Sequence, residues 1–61
     1  MFVTLTDKTG DKVAFNVNKI WLVCEQRKRG IASSVVFTDD GRSFDVKEPF
    51  DVVVNALNHK G

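Results

Sequence analysis

The order of its patterns is what most constrains this chain. Runs of alternating apolar residues, marked off by turn residues, come first, and a proline-started helical pattern, Glu48-Pro49-Phe50-Asp51, comes last. A period of two suits strands with one buried face, and the later i, i+3, i+4, i+7 spacing suits one stripe of a helix. Strands followed by a single helix describe an α+β fold: a small antiparallel β-sheet or partial barrel of about five strands with one C-terminal helix. The 61 residues permit one domain, 1–61, and one core.

A chain of this size buries only about 60% of the surface that its unfolded form exposes, so the monomer is expected to be marginally stable. Small domains usually recover the deficit with disulfides, a metal or a partner subunit. The single cysteine, Cys24, excludes an internal disulfide and supplies no ligand set, which leaves oligomerisation. Composition is otherwise ordinary, at 43% hydrophobic, 28% charged and net charge +1, and indicates neither disorder nor a uniformly basic coat for nucleic acid. Met1 leads straight into Phe2-Val3-Thr4-Leu5 without a basic n-region or apolar h-region. No apolar stretch approaches the roughly 20 residues of a membrane span, and the expectation is a soluble, cytoplasmic protein.

Met1, Val3 and Leu5 alternate with Phe2, Thr4 and Thr6 as strand one. Asp7-Lys8-Thr9-Gly10-Asp11 is turn chemistry, and Val13, Phe15 and Val17 then resume the alternation, which predicts a first hairpin. Asn16 and Asn18 are suited to bonding their own backbone and predict a bend. Ile20-Trp21-Leu22-Val23-Cys24 is apolar at every position, so whichever face meets the core, the other still carries large hydrophobes. Either the helix or another subunit would cover that second face. The partner strand is expected from about Ile31 to Thr38, with Val35 and Phe37 on one face and Val36 on the other. Asp39-Asp40-Gly41 is a strong turn signal before a fifth strand, Arg42 to Lys47, with Phe44 and Val46 inward.

Pro49 fits a first helical turn, and Glu48 and Asp51 put negative charge at the positive helix end. Phe50, Val53, Val54 and Leu57 then form one stripe facing the sheet. The β-branched run Val52-Val53-Val54 favours a strand locally, but His59, Lys60 and Gly61 are fitting helix-terminating residues, and helix is the reading taken.

No group of side chains has the composition or spacing of a catalytic or metal site. His59 is the sole histidine and reads as a dipole-complementing surface residue. Cys24 lies in the most apolar strand and reads as a small hydrophobe rather than a nucleophile. Asp39 and Asp40 beside Gly41 are what a tight turn requires, and Gly10, Gly30 and Gly41 lie in separate turns and build no phosphate loop. An enzyme, a metal and a cofactor are therefore not expected. Two surfaces remain. Arg27, Lys28 and Arg29, at the tip of the longest hairpin, are the candidate partner-binding residues, suited to an acidic protein surface or a phosphate backbone, although charges there also discourage stray strand pairing. Trp21, Val23 and Val36 are the candidate oligomer interface, since an exposed patch built around a tryptophan marks an interface.

Leu5-Thr6, Gly10, Asn16, Ile20 and Val23, followed by Thr38, Gly41, Val46-Lys47-Glu48, Asp51, Val53 and Leu57, resemble the FlbD family, also called SwrD, of small flagellum-associated bacterial proteins. The resemblance covers nearly the whole chain, with Val46-Lys47-Glu48 leading into the helix as its most specific element. It implies a non-enzymatic accessory protein of bacterial motility, with no cofactor and no catalytic residues. The chain departs from that pattern between Ile20 and Gly41, where extra residues carry the basic hairpin, a place for a distinct partner. A more distant similarity is to LytTR-type DNA-binding domains, which also join short antiparallel strands to a terminal helix, and which would use Arg27, Lys28 and Arg29 from several subunits on nucleic acid. A third reading, from size and the apolar strand alone, is a phage-encoded or mobile-element-encoded inhibitor of a host protein.

Overall fold

The computed structural model describes residues 1–58, so the expected roles of His59, Lys60 and Gly61 fall outside the described residues. Two strands, β1 (Phe2–Thr6) and β2 (Lys12–Asn16), form the first antiparallel hairpin, with Val3 opposite Phe15 and Leu5 opposite Val13. The alternation works as read: Val3, Leu5 and Phe15 are buried. Met1 does not join them and stays exposed, because the ladder begins at the Phe2–Asn16 pair. The turn is held by Asp7, whose Oδ1 accepts the backbone N–H of Thr9 at 2.9 Å, that of Asp11 at 3.0 Å and the Thr9 hydroxyl at 2.6 Å. Gly10 there adopts φ 96°, a conformation open to glycine at no steric cost.

The bend that Asn16 and Asn18 foretell is a short 3-10 turn, Val17–Lys19, capped by the Asn16 side chain, which accepts the Asn18 N–H at 3.0 Å. Val17 therefore leaves the ladder, although it still packs against the core. Three more strands follow, β3 (Ile20–Lys28), β4 (Ile31–Thr38) and β5 (Ser43–Val46), in the spatial order β3-β4-β5. The β3–β4 turn is Arg29-Gly30 alone, with φ of 52° and 78°. Two positive φ values in a two-residue turn match the right-handed twist of the flanking strands. Because β5 pairs only with Ser34 to Phe37, the far end of the β3–β4 hairpin is a two-stranded ribbon.

The two sheets are joined along one edge. Asp7 bridges Val46, and the Lys47 N–H donates to the Thr6 carbonyl at 2.8 Å. The small antiparallel α+β fold is as expected, but its five strands form two sheets, β1-β2 and β3-β4-β5, linked at this bridge rather than one continuous sheet. The two sheets share one core of Val3, Leu5, Phe15, Val36 and Val46, and the helix α1 (Phe50–Asn58) adds Val53 to it. Val53 is fully buried, Ala56 and Leu57 pack beside it, and Phe50 and Val54 flank the stripe half-buried. Docking of this apolar stripe outweighs the weak helix propensity of Val52-Val53-Val54.

The entry to α1 is pinned by two polar contacts. Ser34, wholly buried in β4, donates from Oγ to the Glu48 carbonyl at 2.8 Å. The Glu48 carboxylate in turn accepts the Thr6 N–H. Burial is the largest single influence on the Glu48 pKa and raises it, but the hydrogen bonds from Thr6, that of its own backbone and the charge of Lys12 together outweigh it and hold the carboxyl below the usual glutamate range.

Candidate interaction surface

The site begins with a flaw in the ladder. Ile20 pairs with Thr38 and Leu22 with Phe37, so two steps along β3 are matched by one along β4 and Trp21 is the extra residue of a β-bulge. Beyond the bulge Val23 stands opposite Val36 and Cys24 opposite Val35. Val23 and Val36 face the core, while Leu22 and Cys24 share the other face with Val35 and Phe37. Trp21 is turned to that second face: its ring centroid lies 6.4 Å from that of Phe37, and its Nε1–H donates to the Thr38 carbonyl at 3.2 Å.

This corrects the expected interface of Trp21, Val23 and Val36. Val36 is a core residue with no exposed surface, and Val23 packs half-buried against it beneath α1. Only Trp21 of the three is exposed, at 66%. The bulge separates it from Val23, with which simple alternation would have aligned it.

Among the described residues no element covers the outer face of the β3-β4-β5 sheet at this end. Trp21, Leu22, Cys24, Val35 and Phe37 adjoin there, and none is buried. The helix and the first hairpin both pack on the opposite face, with the core residues. Contiguous exposed apolar patches are uncommon on monomeric proteins, and tryptophan is enriched among residues that anchor contacts.

Arg27, Lys28 and Arg29 do lie at the hairpin tip, but they diverge. Arg27 leans back on Glu25 at 3.6 Å, both side chains being largely exposed. Lys28 alternates to the outer face, opposite Ile31, and Arg29 occupies the turn itself. Three cations in a row on a strand end point three ways.

The remaining candidates are absorbed by structure. The Asp40 carboxylate accepts the Thr38 hydroxyl and the Arg42 N–H, and the Thr38 hydroxyl is the main cause holding its pKa low. Asp39 faces Lys19 at 3.8 Å. Gly41 completes this turn at φ 86°. Phe15 and Phe44 meet edge to face at 5.2 Å, on the floor of a groove whose rim charges, Lys19 with Asp39 and Arg42 with Asp40, are already paired. Cys24 is half-buried on the outer face. Among the described residues no three His, Cys, Asp or Glu side chains gather as metal ligands, and no helix is long and apolar enough to cross a membrane.

Set against family models, curated proteins and solved structures, the chain matches none of them.

Proposed function

We propose that this protein is a non-enzymatic, cytoplasmic interaction module that works as a homo-oligomer, with the bare face around Trp21 as its contact surface. One observation carries the reading: a tryptophan 66% exposed stands beside Leu22 and Phe37 on a sheet face that no element among the described residues covers. Leaving such a patch in water forgoes about 25 cal/mol for each Å² of apolar surface that a partner could bury. A domain this small has the most to gain from a second subunit.

The resemblance to FlbD/SwrD proteins supports a place for it among accessory proteins of bacterial motility. The tip bearing Arg27, Lys28 and Arg29 is proposed as a second contact, for a distinct protein with an acidic surface. Nucleic acid is the weaker partner for that tip, because Arg27 is engaged by Glu25 and the net charge is only +1.

The experiment is an affinity capture with two variants. Trp21→Ser is expected to lose self-association, and the triple change of Arg27, Lys28 and Arg29 to serine is expected to keep it while losing the second protein. Capture unaltered by either change contradicts the reading. A mobility shift on DNA or RNA that is strong at low salt and collapses as salt rises would move the tip to the nucleic-acid class.

A further inference from the structure

We infer that the second copy docks edge to edge, with β3 of one chain pairing antiparallel with β3 of another about a two-fold axis at Cys24. This rests on the homo-oligomeric reading above and specifies its geometry. β3 has nine residues and stands at the edge of its sheet, with β4 on one side only. Apart from the Ile20 N–H, which the Val17 carbonyl of the 3-10 turn accepts, no backbone bond from another element reaches its far side among the described residues. A long edge strand of this kind is a row of unpaired N–H and C=O groups, a template for another strand.

Faces and charges select the register. In a symmetric antiparallel pair the residue numbers of opposed residues have a constant sum, and opposed side chains share a face. Cys24 is the middle residue of β3, so an axis there opposes Leu22 to Gln26 in regular register and brings the basic end of the second strand to the bulge at Trp21. Leu22 then meets Gln26 of the second copy and Val23 meets Glu25; beyond Leu22 the bulge breaks the strict register, and Arg27 and Lys28 of the second copy arrive beside Trp21 and Ile20, with no like charges opposed. An axis at Glu25 or at Arg27 sets that charge against itself. An axis at Val23 drives Arg27 against Lys19, in the 3-10 turn. An axis at Gln26 pairs only residues 24–28 and leaves Trp21 and Leu22 beyond the end of the second strand.

The axis at Cys24 also gives the bare face a cover. Gln26 and Lys28 lie on the same outer face as Leu22, so those two side chains of the second copy fall across Leu22 and Trp21. The methylene stem of Lys28 covers apolar surface while its ammonium reaches the indole, a pairing that Trp favours above other aromatics. Tryptophan and basic run, which are apart in one chain, become a single contact made twice. The two three-stranded sheets merge into one.

The test uses Cys24, the sole cysteine, which would oppose itself across the axis within reach of a disulfide. Native protein at micromolar concentration is treated with copper phenanthroline and run on a non-reducing gel, beside light scattering of untreated protein. A covalent dimer is expected to form at least about tenfold faster than for Cys24→Ser, Glu25→Cys, whose thiol is on the other face and off the axis. Cys24→Lys and Cys24→Asp are each expected to be folded monomers by circular dichroism and light scattering, and their equimolar mixture to be a dimer. A dimer in light scattering without fast Cys24 crosslinking and without rescue in the mixture overturns the edge register and leaves self-association standing. A monomer at every concentration overturns both.

Discussion

The Glu48 carboxylate accepts the Thr6 backbone N–H through both oxygens, at 2.9 and 3.0 Å, and so ties the start of the helix to the end of β1 across 42 positions of sequence. The neighbouring bond from Lys47 N–H to the Thr6 carbonyl closes the same seam. Hydrogen bonds to a charged group contribute more than neutral ones, so Glu48→Ala is expected to destabilise the fold by about 1 to 3 kcal/mol. The urea midpoint checks this, and an unshifted midpoint contradicts the role given to the seam.

The same carboxylate makes the fold sensitive to acid. The folded pKa values of Glu48, Asp7 and Asp40 are all held below their ordinary ones: for Glu48, burial is the largest influence and raises it but is overcome by the Thr6 hydrogen bonds together with its own backbone and Lys12, and for Asp7 and Asp40 the hydroxyls of Thr9 and Thr38 are the main cause. A depressed carboxylate contributes stability that is fully present above its unfolded pKa and is lost as pH falls through the folded value. Unfolding free energy should therefore be level near neutrality and fall below about pH 4. Glu48→Gln should flatten part of that fall, and urea titrations over a pH series read the slope. An acid limb as steep as in the native chain would assign the loss to the two turn aspartates alone.

The Arg29-Gly30 turn carries local strain that can be relieved. Arg29 sits at φ 52°, where a side chain other than glycine, asparagine or aspartate is disfavoured. Arg29→Asn is expected to raise stability by about 0.5 to 1 kcal/mol, visible as a higher thermal midpoint. A lower midpoint would mean that the arginine makes a compensating contact.

Val36 and Trp21 should respond in opposite ways to truncation. Val36 is wholly enclosed, and Val36→Ala should cost about 2 kcal/mol or more, a large share of what a chain this short can hold. Trp21→Ala, measured at concentrations too low for association, should change monomer stability by only about 0.5 kcal/mol. Equal losses at the two sites would mean that Trp21 is part of the monomer core.

The elements were legible because their signals are local. Turn acids and glycines at Asp7 to Asp11 and at Asp39 to Gly41, alternation in β1, and the Pro49 start of α1 each encode structure within a few residues. Strand β4 falls at Ile31–Thr38 as expected, and β5 is trimmed to Ser43–Val46. The bulge at Trp21 was not legible, because five consecutive apolar residues give no break in alternation to mark an inserted one. That single insertion moved Trp21 off the face of Val23, so that Val23 and Val36 lie with the core and only Trp21 of the expected interface is exposed. The Glu48–Thr6 contact was equally hidden. Beside Pro49 a glutamate reads as a helix-end charge, and its bond to a distant strand depends on the join between the two sheets.

Self-association through the bare face of β3 is tested most directly by light scattering across the micromolar range, on the native chain and on Trp21→Ser. A native mass rising to twice that of the chain, with Trp21→Ser remaining at one chain and keeping the native circular dichroism spectrum, is the expected result. A native chain that stays monomeric throughout the range contradicts it.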